Sequence, residues 1–551
     1  MTASNWLSRR AMIAGTSAAL ILPSTLGAAG RRRAGPAIAD TDCGRVQGIS
    51  AANGVLQFKG VPYAADTGGA NRFMAPRAVK PWAGVRDATR FGDRCPQGLR
   101  PGGPASAATP PFSENCCVLN VYTPDLRRTA RRPVMFYIHG GGFRSGNGDD
   151  PVLDGSSLAR FGDVVVVTIN HRLNVLGFAG LGEIAPEFGD AANAGQLDVI
   201  AALKWVKRNI ESFGGDPHRV MVFGVSGGGS AVETLLVMPE ARGLFHRAIN
   251  MSGSSAFAMK RSDSMAPVAE QFLKNLGIGR GDLRKLQELP TAQLLSAYDA
   301  ALLQGKAGDY RPTVDGRHIL HGPLTAEAMQ AQPPVPVMLS RTSNEASAFL
   351  GGDKRNWQVT DAQVATRIAA QFGFGQTEAA ALMDRYRQED RARTAWDVLV
   401  AVATDALTHK PMLRSAEAKA KAARAPIYLC DFDWRSPKDG GVWGAAHSID
   451  VPFVFGNLDA HRLTSEPDAR AIATMKAEMA TYVAFARTGS PNNPAIPAWQ
   501  TFDPQGRASM VIDGGGKLVH DFHRADREAA ELLPVQDAFD IVAGPLLRYS
   551  A

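Results

Sequence analysis

The chain has 551 residues, 45% of them apolar and 21% charged, with a formal net charge of +7. That balance suits a folded globular protein and excludes fibrous and disordered classes. The positive excess is mild and has no basic stripe interleaved with aromatics, which argues against nucleic-acid binding.

Residues 1–30 read as an export signal. Ser8-Arg9-Arg10 precedes a small-residue apolar run, Ala11 to Leu22, and small residues follow at Gly27-Ala28-Ala29. A paired arginine ahead of a modest apolar core looks like a twin-arginine signal. Arg31, Arg32 and Arg33 leave the cleavage point open. The apolar run is too short to span a bilayer, and no later stretch is apolar enough to do so. The mature protein is expected to be periplasmic or secreted, with no stable membrane insertion. Its five cysteines are Cys43, Cys95, Cys116, Cys117 and Cys430. An odd count requires at least one free thiol or an intermolecular bond, and none of them pairs with histidine at zinc-ligand spacing.

Beyond the signal, Gly44 to Val61 predicts an antiparallel hairpin, and Pro62 to Pro111 a Gly/Pro-rich loop. Asn120 to Tyr122 predicts a short strand. Pro133 to Ile138 and Val164 to Ile169 are continuous apolar runs, which suit a sheet covered on both faces. From Asp198 to Ile210 apolar residues recur at helical spacing. Arg219 to Phe223 predicts a strand, and a helix should follow through Leu236. Residues 260–420 are helix-rich, as at Ala266–Leu276 and Asp361–Ala370. Strands are expected at Val335–Leu339 and Ile427–Phe432. This alternation predicts an α/β fold of the α/β-hydrolase kind. Its large, mostly parallel sheet would have helices on both faces and helical insertions at about 260–420 over the active-site edge. Residues 40–545 would form that single domain.

Gly224-Val225-Ser226-Gly227-Gly228 fits the G-x-S-x-G nucleophile elbow, in which a sharp strand-to-helix turn exposes a serine oxygen. The plain alternative is a Gly-rich turn or phosphate cradle, but neither G-x-G-x-x-G nor a following Walker-type lysine is present. Upstream, His139-Gly140-Gly141-Gly142 follows a strand and can aim successive N–H groups at one point, where negative charge develops on a carbonyl during acyl transfer. Such a serine needs a base and an orienting acid, in the chain order Ser, acid, His. His447, in a small-residue loop after the Ile427–Phe432 strand, is the base candidate. His246 precedes every acid candidate. His318, His321 and His409 lack a clear strand ahead, and His461, His520 and His523 lie further downstream. Glu345, just past the Val335–Leu339 strand, is the acid candidate. Asp315, Asp405 and Asp450 compete with it.

These residues resemble the type-B carboxylesterase family, which also contains the cholinesterases. Matching stretches include Phe58-Lys59-Gly60-Val61-Pro62-Tyr63-Ala64, Cys95-Pro96-Gln97, Leu119-Asn120-Val121-Tyr122-Thr123-Pro124 and Asn170-His171-Arg172-Leu173. Others are Phe213-Gly214-Gly215-Asp216-Pro217, leading into the elbow, and Pro452-Phe453-Val454-Phe455-Gly456. The similarity runs from about Gly44 to Phe502. It implies a catalytic triad of Ser226, Glu345 and His447, an oxyanion hole at Gly141, Gly142 and Gly227, and a Cys95–Cys116 disulfide. It also implies structural ion pairs of Arg72 with Glu114 and Arg172 with Asp198.

The chain departs from the family pattern in several places. Val225 stands where the family often has Glu, Gly227 where Ala is common, and Ala346 where Gly is usual. Asn115 and Cys117 break an acidic-Cys-Leu pattern, so Cys117 competes with Cys116 for Cys95. The Cys95–Cys116 loop has no Trp, the residue that holds quaternary ammonium in cholinesterases by cation–π attraction. The resemblance therefore implies a serine esterase for small, neutral carboxylic esters, needing neither metal nor organic cofactor. An amidase or lactonase with the same triad, or a non-catalytic binding protein on this fold, is the alternative.

Overall fold

Along the strand Arg132–Ile138 the side chains alternate between two cores. Val134, Phe136 and Ile138 enter one, and Met135 and Tyr137 the other. This period of two on a strand buried on both faces explains why the sequence reads there as an unbroken apolar run. Each fully buried Val, Ile or Phe contributes about 1.5–3 kcal/mol relative to leaving it exposed. The Ala194–Asn209 helix supplies Leu203, Trp205 and Val206 to the first core, and the Ala469–Thr488 helix supplies Tyr482 and Phe485 to the second.

The computed structural model describes residues 37–98, 111–253, 260–261, 265–304 and 310–548. The expected export segment lies outside them, and Ala37–Ala551 forms one compact unit. The main sheet is 13-stranded. Its strands are β1 (Ala37–Thr41), β2 (Gly44–Ser50), β3 (Leu56–Pro62), β4 (Val85–Asp87), β5 (Val118–Thr123), β6 (Arg132–Ile138), β7 (Val165–Ile169), β8 (Gly215–Val225), β9 (Arg247–Met251), β10 (Val337–Thr342), β11 (Ile427–Phe432), β12 (Ala508–Ile512) and β13 (Gly516–His520). Their order is β1-β2-β3-β5-β7-β6-β8-β9-β10-β11-β12-β13, with β4 beside β2. From β7 to β12 every pairing is parallel, and the flanks are antiparallel except for β4, which runs parallel to β2. The C-terminal ends of β8, β9, β10 and β11 therefore lie side by side, where ligand-binding loops gather in open α/β sheets.

The expected hairpin forms as β2 and β3, extended by β1, and the Asp361–Phe372 helix begins where expected behind a Thr360 capping box. The strand expected from Val335 begins instead at Val337. Pro336 has no N–H to give the ladder. The sequence reading missed β1, β4 (inside the stretch expected to be loop), β9, β12, β13 and the Ala469–Thr488 helix. In β9, Arg247-Ala-Ile-Asn-Met251 lacks the β-branched run that marks its neighbours. The Asp361–Phe372, Gln376–Tyr386 and Ala395–Thr404 helices pack on the C-terminal segments as a third, separate hydrophobic cluster. Among the described residues no helix is long and apolar enough to cross a membrane.

Candidate active site

Ser226 sits between β8 and the Gly227–Leu235 helix with φ 57° and ψ −122°. A side chain rarely adopts that conformation, and it persists only where the surroundings over-determine it. Here Ser226 N–H donates to Met251 O at 2.8 Å and Ser230 N–H to Ser226 O at 2.9 Å, so β9 and the helix grip the turn from both sides. A Cβ on Gly228 would lie 2.1 Å from Ile138 O, so only glycine lets the helix cross β6 this closely. Ser226 is thereby left half-buried at the head of the helix.

The three glycine amides expected as an oxyanion hole lie next to one another. A Cβ on Gly227 would come within 2.8 Å of Gly142 N. Gly141 and Gly142 take φ of 110° and 60°, a backbone that suits glycine and aims successive N–H groups out of the turn. None of the three N–H groups donates a hydrogen bond among the described residues. They are free to receive a ligand oxygen.

The acid and base come from β10 and β11. His447 Nδ1 bonds Glu345 Oε2 at 2.5 Å, and Glu345 Oε1 accepts Thr342 N–H at 2.9 Å. The two loops are laced together: Asn344 N–H donates to Ala445 O, Ala445 N–H to Asn344 Oδ1, and the Ser347 hydroxyl to Trp443 O. Ala346 N–H donates to Thr404 Oγ1 at 3.0 Å, which ties the acid loop to the helical insertion. Burial opposes ionisation of Glu345, but the His447 charge, its hydrogen bond, the Ser252 hydroxyl and Thr342 N–H outweigh it and hold the carboxyl below the usual glutamate range. Burial likewise disfavours the His447 cation, but the charge and hydrogen bond of Glu345, helped by Asp450, raise its pKa above the ordinary imidazole value. With Nδ1 held by the carboxylate, Nε2 is left for a proton to be gained or given.

The structure joins Glu345 to His447 and sets the Ser226 elbow two strands away on the same sheet edge. The Ser226 hydroxyl makes no hydrogen bond among the described residues. That link commonly tightens only when substrate binds. The competing acids are committed elsewhere. Asp315 accepts the amides of Arg317, His318 and Ile319, and Asp405 is bound to Tyr386 and His409. Asp450 lies behind His447, and among the described residues neither of its oxygens has a well-formed hydrogen bond. Sequence reasoning missed Ser252, at φ 51° beside Glu345, and Phe349, whose half-exposed ring packs on His447 at 5.1 Å between centroids. Phe349 follows the acid by four residues on a short helix, a weak signal. Ser252 had none, because β9 was unread.

Cys95 and Cys116, the pair the resemblance implies, stand as free thiols, as do the other three cysteines. Cys116 is a hydrogen-bond neighbour of both Cys117 and Cys95. The Cys117 bond favours its thiolate, but the Cys95 bond and burial outweigh it and push the thiol well up. The Cys95 sulfur also accepts Leu173 N–H at 3.2 Å. The implied ion pairs are present. Arg72 bonds Glu114 at 2.9 Å, and the fully buried Arg172 grips Asp198 at 2.7 and 2.8 Å.

A strained serine elbow, unpaired glycine amides and a carboxylate–imidazole pair on one edge of a parallel sheet define a serine hydrolase of the α/β-hydrolase fold. A profile of the Carboxylesterase family matches residues 35–529, and the chain belongs to that family. It is 35% identical over 490 residues to the para-nitrobenzyl esterase of Bacillus subtilis (strain 168), covering 88% of this chain and 96% of that protein. It is 33% identical over 513 residues to the phenmedipham hydrolase of Pseudarthrobacter oxydans, covering 90% and 99%. A solved Geobacillus stearothermophilus carboxylesterase superposes with a TM-score of 0.76 at 34% identity, over 89% of this chain and 99% of that one. The protein is a type-B carboxylesterase, and its chemistry is ester hydrolysis.

Proposed function

We propose that the protein cleaves neutral carboxylic esters by two-step acyl transfer through Ser226, His447 and Glu345. The Ser226 oxygen attacks the ester carbonyl carbon while His447 Nε2 takes its proton. Glu345 holds the imidazole in the required tautomer and stabilises the cation that forms. The N–H groups of Gly141, Gly142 and Gly227 receive the tetrahedral oxyanion. His447 returns the proton to the departing alkoxide, the alcohol leaves, and water cleaves the acyl-serine by the same route. The observation that carries this reading is the Glu345–His447 hydrogen bond at 2.5 Å on the sheet edge that bears the strained Ser226. A neutral substrate is favoured because the buried Val225 leaves no carboxylate beside the nucleophile and Phe349 gives His447 an apolar wall.

Ser226→Ala should lower kcat/KM on p-nitrophenyl butyrate by at least about 10⁴-fold with folding intact. Retained turnover refutes the nucleophile. The same reading includes export of the chain and, in an oxidising compartment, a Cys95–Cys116 bond between neighbouring thiols. The N-terminal sequence and non-reducing peptide map of exported protein test both. An uncleaved N-terminus or free thiols count against them.

A further inference from the structure

The helix that follows Ser226 carries a charge in its buried face. Glu233, on the Gly227–Leu235 helix, is 1% exposed. Lys419, on the Lys410–Ala422 helix and equally buried, sets its Nζ 2.9 Å from Glu233 Oε2 and donates to Gln332 Oε1 at 3.1 Å. Taking two charges out of water is expensive, and an apolar pair of similar volume often folds as well or better. Stability alone does not account for this pair.

The other oxygen of Glu233 leads to the site. Asn250, near the end of β9 and buried, donates through Nδ2 to Glu233 Oε1 at 3.1 Å and to Gly253 O at 2.7 Å, and its Oδ1 accepts Gly253 N–H at 2.8 Å. Both amide hydrogens and the amide oxygen are engaged, so the side chain closes the turn after β9 into a ring. The bond to a carboxylate is the stronger, charge-assisted kind. That turn is pressed onto the elbow helix. A Cβ on Gly253 would lie 2.4 Å from Gly229 C and Ser230 N, and one on Gly229 would lie 2.4 Å from Asn250 Oδ1. The same turn reaches both edges of the site: Met251 O accepts Ser226 N–H at 2.8 Å, and Ser252 N–H donates to Ser340 O of β10 at 2.7 Å.

We propose that Glu233 and Asn250 are positioning residues for Ser226, and that the buried Glu233–Lys419 pair anchors the Asn250 brace. The strained Ser226 backbone persists only while its neighbours over-determine it. Met251 O is one of the two backbone groups that grip it, and the Asn250 ring fixes where that oxygen points. With the brace gone, the turn relaxes, Ser226 loses its aim, and the cost falls on the chemical step rather than on substrate binding. The inference rests on the triad reading above.

The test measures kcat and KM on p-nitrophenyl butyrate and the melting temperature of the full-length enzyme. Two double variants remove the ion pair as a unit, so neither strands a buried charge. Glu233→Met with Lys419→Met leaves Asn250 without its acceptor. Glu233→Gln with Lys419→Met keeps a carbonyl oxygen there. The first should lower kcat about tenfold or more with KM unchanged, and the second should recover most of that loss at a similar melting temperature. Asn250→Ala, which leaves Glu233 its Lys419, should lose at least as much kcat as the Met–Met variant. A wild-type kcat in the Met–Met variant overturns the proposal. So do equal losses in the two double variants, which mark packing alone, and so does a rise in KM that tracks a lowered melting temperature. If the double variants do not fold, Asn250→Ala decides, and a wild-type kcat there overturns the proposal. If none of the three folds, the cluster serves folding and the proposal falls. Ser226→Ala is read separately, so an enzyme with an established Ser226 nucleophile and an unchanged kcat in the Met–Met variant sinks only this inference.

Discussion

The elbow edge of the site, where β6 and β8 deliver glycine amides and Ser226, is held by backbone. The acid–base edge, where β10 and β11 deliver Glu345 and His447, is held by side chains from distant elements. At the first, Gly228 abuts Ile138 O and the Ser226 amide is tied to Met251 O, so the geometry follows from chain path alone. At the second, a fully buried carboxylate is kept ionised by a histidine 102 positions away and by Thr342 N–H, and its loop is anchored through Thr404 of the helical insertion. The contrast separates two kinds of catalytic contribution. Fixed dipoles cost nothing to reorganise during reaction. A buried charge pair works only while both partners stay in place.

The acid–base edge should break hardest. Glu345→Gln keeps the shape but removes the charge that fixes the His447 tautomer, and kcat should fall on the order of 10⁴-fold. The same variant should move the acid limb of the pH profile downward. His447 acts as a base only when neutral, and Glu345 raises its pKa. Without that support the proton leaves at lower pH. A pH–rate series on both enzymes checks the drop and the direction. An upward or absent shift would mean that Glu345 does not face the working base.

Next in size is a change outside the site. Asp198→Asn strands the Arg172 guanidinium, which is 1% exposed and paired with Asp198, and should cost about 3–5 kcal/mol in urea unfolding. The kcat of the folded fraction should hold, because neither residue reaches the triad. A large kcat loss at unchanged stability would give the pair a chemical role.

The elbow edge is sharpened by Gly228→Ala. A new Cβ would lie 2.1 Å from Ile138 O and 2.7 Å from His139 O, so the helix must shift away from β6 and the amides spread apart, lowering kcat about 10²–10³-fold with little change in KM. If kcat is unchanged, those amides do not receive the oxyanion.

The two edges also differ in how far the sequence revealed them. Gly224 to Gly228 and His139 to Gly142 are contiguous, and each glycine answers a local steric demand, so both were legible without coordinates. Glu345 and His447 were chosen by what precedes them, a strand and a loop, and the structure brings the two side chains into contact. Ser252 and Glu233 were invisible. The first follows a strand with no apolar β-branched run, and the second is a lone acid whose burial comes from tertiary packing. The resemblance supplied a Cys95–Cys116 pairing and the sequence marked Cys117 as a competitor, which the structure places in hydrogen-bonding contact with Cys116.

Covalent labelling by an organophosphate tests the central assignment most directly. The account predicts one adduct per chain by intact mass, mapped by peptide sequencing to Ser226, with ester hydrolysis lost in step. An unlabelled Ser226 in an enzyme that still turns over, or an adduct on another residue that abolishes activity, would contradict it.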